Sequence, residues 1–228
     1  MNIGIVVSKE FVSVDGILGP SRPIYKGKIK ARYYAPDNEA RNFGIYLVHC
    51  SIGEIAASAA TQFLIDNFAI DLILNFGMAH SLNPDFTHPL TCIVERVVHY
   101  DFDVSLALGH HDPGSYPQFR NCFIPASQLI IEKLKENPAL RFATCASGDK
   151  FILKDTRIAK SLHWFSPDIC DMNCAATLLT CISNKMPCLI IKGVTDGFHN
   201  GIVSTDTIFD AAAGASFKFA LEVLRSLT

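Results

Sequence analysis

The 228-residue chain has no CxxC pair, no apolar run approaching the length of a membrane span, and a net charge of only −2. Each lack removes a class of protein. Its eight cysteines sit mostly inside apolar runs, which argues for reduced core thiols rather than disulfides or a zinc site. Without about 20 consecutive apolar residues, no segment reads as a transmembrane helix. Acidic and basic residues are interspersed, so there is no stripe for a nucleic-acid backbone or an anionic membrane. Repeats, low-complexity tracts and interdomain linkers are also missing. The apolar start, Met1 to Val7, lacks a basic lead-in and meets Lys9 and Glu10 too soon for a secretory signal. The expectation is a cytoplasmic protein with a small-molecule or protein partner, with neither nucleic acid nor membrane bound.

What is present is core. With 49% hydrophobic and 18% charged residues, the chain can bury a substantial interior as one α/β domain, residues 1–228. Asn2 to Val7 is a β-branched run and reads as a central strand, and Pro23 to Tyr34 as a small antiparallel meander. Ile45 to His49 is a strand. Ser51-Ile52-Gly53-Glu54 after it has the spacing of a capping box, so a helix is expected from near Ile52 with an apolar face of Ala56, Ala59, Ala60, Phe63 and Leu64. Asp71 to Phe76 is a strand expected to break at Gly77, completing a βαβ unit and implying a parallel sheet. Further strands follow at Cys92 to Val98, Phe142 to Ala146 and Ile169 to Asn173, with helices at Ala126 to Glu136, Cys174 to Ser183 and Thr205 to Leu227.

Leu189 to Asp196 is the most informative stretch, because a short apolar run between Pro187 and Gly197 fits a strand buried on both faces, and it ends in a carboxylate. In open α/β sheets ligands bind outside the carboxyl ends of strands. Ser8-Lys9-Glu10, Gly77-Met78-Ala79-His80, Phe151-Ile152, Asp171-Met172-Asn173 and Thr195-Asp196 are all expected on one such edge. Each also has a plain structural reading, as caps, turns or core.

Several of these segments stand in a familiar order. Ile3-Gly4-Ile5, Ser51-Ile52-Gly53 before an alanine-rich helix, Asn75-x-Gly77-x-Ala79, Tyr100-Asp101-x-Asp103-Val104, Ser147-Gly148-Asp149-x-Phe151-Ile152, the Met172 region and Thr195-Asp196 resemble the methylthioadenosine/S-adenosylhomocysteine nucleosidases. Aminodeoxyfutalosine nucleosidases share the pattern, and all belong to the purine nucleoside phosphorylase superfamily. The resemblance spans nearly the whole chain. It implies a three-layer αβα sandwich with a mixed, partly barrel-like central sheet, and cofactor-free hydrolysis of an N-glycosidic bond to release adenine. By position, Asp196 would protonate or hydrogen-bond adenine N7, with Thr195 beside it. Phe151 would stack on the purine while the Ile152 backbone reads its edge. Met172 would lie under the ribose and Asn173 beside its hydroxyls, with Ile52, Met78 and Ala79 lining the cavity. His99 to Asp103 and the loop reaching Pro117 would form the contact of a homodimer.

The chemistry is coherent in its own right. A cation-like sugar at the transition state needs an acid at the leaving base, worth about 10²- to 10⁴-fold, and a buried strand-end carboxylate can have its pKa raised for that role. Of the departures from the pattern, two matter most. Val12 stands where the family has a water-orienting glutamate, leaving Glu10 as the nearest carboxylate, and Asn173 stands where it has a ribose-binding one. His80 and Lys192 replace a glycine and an arginine. Two other functions stay open: a binding protein that lost turnover, and a phosphorylase, although Ile5 to Glu10 offers no arginine for phosphate. His110-His111-Asp112 are adjacent and do not converge on one metal ion.

Overall fold

The fold is taken from a computed structural model, which describes residues 1–8, 12–37, 41–87, 90–108, 112–150, 152, 162–197 and 206–228. Within its strands and helices, the side chains of residues 12, 13, 15, 108, 163, 195–197 and 206–209 lie outside the description. The centre is β1 (Asn2–Ser8), whose apolar run is buried almost throughout. It lies parallel between β4 (Gly44–Cys50) and β5 (Leu72–Ser81), with Ile3 level with both Ile45 and Leu72. The βαβ unit from β4 through α2 (Glu54–Asn67) to β5 therefore steps over β1. Outside β4, the meander expected from Pro23 to Tyr34 is an antiparallel hairpin of β2 (Arg22–Lys26) and β3 (Ile29–Tyr34).

The expected break at Gly77 does not occur. β5 runs on to Ser81, because β10 (Cys188–Gly197) pairs with it along its length and β9 (Ile169–Asp171) pairs antiparallel with His80 and Ser81. β10 also pairs antiparallel with β6 (Leu90–His99), which leads through β8 (Phe142–Ser147) to β9 and so back to β5. Five strands thus close into a ring on one side of the sheet, with the short β7 (Phe123–Pro125) on β6. Closure also corrects the expectation of one shared strand edge: β6, β8 and β9 run opposite to β5 and β10, and their ends reach the others only because the sheet curls.

Helices cover both faces. On one side, α1 (Val12–Leu18), α4 (Gln128–Lys135) and α6 (Asp206–Leu227) bury Val14, Ile131, Leu134, Phe217 and Leu224 against Ile5, Ile45 and Leu189. On the other, α2 and α5 (Cys174–Ser183) bury Leu64, Ala175 and Leu178 against Val6, Ile73 and Ile190; the short α3 (Ser105–Leu108) follows β6. The buried face of α2 is Ala57, Ala60, Thr61 and Leu64, turned from the one expected, and Ala59 is exposed. At Gly193 a Cβ would lie 2.4 Å from Ser216 Oγ and 2.7 Å from Met78 Sδ, so only glycine lets α6 sit this close to β10. The eight cysteines are free thiols, seven of them buried.

Candidate active site

The site begins with a charge where none is expected. Lys192 lies in the middle of the apolar β10 and is fully buried, yet it is neutralised by Asp171 at the end of β9, with Nζ to Oδ2 at 2.7 Å. Burial alone would lower the ammonium; the Asp171 carboxylate reverses this and raises its pKa. Burial likewise would raise the Asp171 carboxyl, but Lys192 and hydrogen bonds from Cys174, Lys192 and Ser147 hold it below the usual range. Ser147 and the Cys174 N–H hold Asp171 Oδ1, and removing either charge of a pair this deep would leave the other buried and uncompensated. Lys192 Nζ also donates to Asn173 Oδ1 at 2.9 Å, and Asn75 Nδ2 of β5 donates to the same oxygen at 3.0 Å.

The start of α5 is knitted into this pair. Asn173 is the N-cap residue, but its side chain makes no cap bond. The first three helical N–H groups go elsewhere: Cys174 to Asp171 Oδ1 at 3.2 Å, Ala175 to Ser147 Oγ at 3.0 Å and Ala176 to Glu54 Oε2 at 2.5 Å. Ser147 Oγ is 2.5 Å from Glu54 Oε1 and 2.7 Å from Asp171 Oδ1. One hydroxyl hydrogen cannot serve two carboxylates, so a proton on Glu54 completes the chain: Glu54 donates to Ser147, and Ser147 to Asp171. Burial first, and the Asp171 charge second, push the Glu54 carboxyl up to about 7.

The capping box is thereby corrected. Glu54 does not reach back to Ser51; it crosses to α5, and its own N–H donates to Asp149 Oδ1 at 2.7 Å. Gly53 serves as N-cap at φ 106°, a conformation that favours glycine, and a Cβ there would meet Asp149 Oδ1 at 3.0 Å. Cys145, Asp171 and Cys174 bring two thiols and a carboxylate within 4.8 Å of one another, but the Lys192 ammonium already occupies Asp171 Oδ2 and repels a cation.

The expected site residues are distributed as follows. Met78 and Ala79 lie on β5, half-buried and buried, while Met172 and Asn173 are half-buried between β9 and α5. Ile152 is buried against Val98, Ala146 and Cys170, and Ile52 is 56% exposed ahead of α2. Glu10 and Phe151 lie outside the described residues, as do the side chains of Thr195 and Asp196. The backbone of β10 has a bulge between Val194 and Asp196, after which Asp196 is level with His80 of β5. Bulges re-aim side chains and recur beside active sites. On the segment that follows β6, Phe102 and Tyr116 stack with centroids 4.1 Å apart, and Tyr116 Oη lies 2.6 Å from His99 Nδ1. The buried network of Glu54, Ser147, Asp171 and Lys192 was not assembled from sequence. A lysine inside an otherwise apolar strand is the signal that points to it, since such a charge needs a buried counter-ion.

Comparison with known proteins defines the class and then the group. The family model described as Phosphorylase superfamily matches residues 22–225. A 5′-methylthioadenosine/S-adenosylhomocysteine nucleosidase of Tolumonas auensis is 30% identical over 83% of this chain and 84% of its own. An aminodeoxyfutalosine nucleosidase of Campylobacter jejuni is 29% identical over 68% of this chain and 69% of its own. In fold, the 5′-methylthioadenosine/S-adenosylhomocysteine nucleosidase of Helicobacter pylori, solved with an aminopyrrolopyrimidine ligand, superposes with a TM-score of 0.85 at 23% identity, covering 99% of this chain and 98% of that one. The chain belongs to the phosphorylase superfamily and, within it, to the family of methylthioadenosine/S-adenosylhomocysteine and aminodeoxyfutalosine nucleosidases.

Proposed function

We propose that this protein is a nucleosidase that hydrolyses the N-glycosidic bond of a 5′-substituted adenosine and releases adenine. The substrate is methylthioadenosine, S-adenosylhomocysteine or aminodeoxyfutalosine. The observation that carries this reading is the 30% identity over 83% of the chain to the Tolumonas nucleosidase. Water adds to the anomeric carbon as the bond to N9 breaks, and the base departs carrying a proton. In this reading Asp196 supplies the hydrogen bond or proton at N7 with Thr195 beside it, and Glu10 positions the water. Phe151 stacks on the purine, Ile152 reads its edge, Met172 and Asn173 hold the sugar, and Ile52, Met78 and Ala79 line the cavity. The bulge ahead of Asp196 supports its role.

The reaction uses no cofactor in this reading. The working form is a homodimer in the cytoplasm: Ile52 and Ile55 near the start of α2 and Leu106 on α3 are exposed apolar side chains, Ile55 at 84% and Leu106 completely, and such side chains suit a subunit contact. No helix of the described residues is long and apolar enough to cross a membrane. The test is adenine release from the three nucleosides with and without phosphate. Release independent of phosphate is expected. Dependence on phosphate with formation of ribose 1-phosphate means a phosphorylase, and binding without release on long incubation means a binding protein.

A further inference from the structure

The side chain of Asn173 is turned in a fixed sense. Lys192 Nζ can only donate, so the Asn173 atom 2.9 Å from it must be the carbonyl oxygen, and Asn75 Nδ2 donates to that same oxygen. The amide cannot flip without setting its NH₂ against an ammonium. Lys192 in turn is fixed by Asp171, which is locked by Ser147 and the start of α5. Helix capping makes no claim on Asn173, because the first three N–H groups of α5 are served by Asp171, Ser147 and Glu54. With Lys192 and Asn75 both on the oxygen, the NH₂ of the half-buried Asn173 is the end directed away from them, and it makes no hydrogen bond to the described residues.

We propose that Asn173, held amide-outward by Lys192 and Asn75, sets the sugar specificity of the site, so that the site donates to the sugar oxygens and accepts no proton from them at this position. This rests on the nucleosidase reading and deepens it. A ribose hydroxyl facing Asn173 receives an N–H and must leave its own hydrogen to water or another group. A carboxylate there would accept that hydrogen in a charge-assisted bond, which is the stronger kind. Discrimination between a ribose and a deoxyribose is therefore weak. The acceptable substrates extend to 5′-substituted adenosines that lack a hydroxyl at the 2′ or 3′ position.

The test compares wild type with Asn173→Asp, in which a carboxylate takes over both inward hydrogen bonds and also offers an acceptor to the sugar. The quantity is kcat/KM for methylthioadenosine divided by that for its 2′-deoxy and 3′-deoxy forms. The intrinsic lability of each bond is common to both enzymes and cancels when the two ratios are compared. The ratio is expected to rise about fivefold in Asn173→Asp for at least one of the two forms. A rise of threefold or more supports the proposal, and a smaller change for both overturns it. Should Asn173→Asp fail to fold, Asn173→Ala decides: removing the N–H donors should lower the ratio at least twofold, and no fall overturns the proposal. If wild type releases no adenine, the nucleosidase reading fails, and the same ratios measured as calorimetric dissociation constants decide the proposal on the same thresholds.

Discussion

Helices α2 and α5 pack against each other and begin within one hydrogen-bonded chain, yet their starts are built in opposite ways. α2 starts at a glycine, and its first N–H is met by Asp149, an exposed carboxylate. α5 starts at an asparagine that does not cap, and three of its N–H groups are met by Asp171, Ser147 and Glu54, all from other elements and linked to the buried Lys192. The first arrangement is a single contact to an exposed side chain and is replaceable. The second makes a helix terminus part of the core, which frees Asn173 to face the sugar subsite we propose.

The largest effect should come from breaking the α5 side at its charge. Lys192→Met leaves Asp171 buried without a counter-ion and should cost about 3–5 kcal/mol, read by urea unfolding at pH 7. A cost under 1 kcal/mol would mean that Asp171 takes up a proton at little expense. Next is Glu54. Burial and the neighbouring Asp171 lift its carboxyl from 4.5 to about 7, so its stabilising contribution is fully present below pH 4.5 and lost as pH rises to about 7. The loss is of order 3 kcal/mol. Glu54→Gln keeps a donor for Ser147 and an acceptor for Ala176, so it should be more stable than wild type at pH 8 and show no such advantage at pH 4.5. Parallel pH profiles for the two proteins would sink the proton assignment.

Smaller effects belong to the α2 side. Asp149→Ala removes a cap and should cost about 1 kcal/mol. Ser51→Ala should change stability by no more than about 0.5 kcal/mol, because Ser51 is exposed and caps nothing. Thermal denaturation of the two variants side by side orders them; if Ser51→Ala proves the costlier, the capping box forms after all.

What could be read from the sequence was what is local or continuous. The span of α5 was expected as Cys174 to Ser183 and is found so, and β1 and β10 match within a residue or two, because unbroken apolar runs have few other fates. α1 was not anticipated: it is only seven residues long and contains Gly16, so neither periodicity nor propensity marks it. Gly77 read as a break because glycine weakens a strand, but pairing with β10 on that side outweighs the preference. The capping box failed for a similar reason. Its spacing is correct, but Glu54 gains more from two partners on Ser147 and Ala176 than from a backbone N–H three residues away. The polar corner joins positions 54, 75, 147, 171, 173 and 192, and no window of sequence contains that set.

The closed ring of β5, β10, β6, β8 and β9 has a consequence for biosynthesis. Its closing strand, Cys188–Gly197, is made after the other four strands of the ring, and it covers the free edges of both β5 and β6. Until it leaves the ribosome, two apolar strands present unpaired backbone, the condition under which nascent chains associate with one another. Chaperone dependence during synthesis should therefore fall sharply once residue 197 has emerged and the ring can shut.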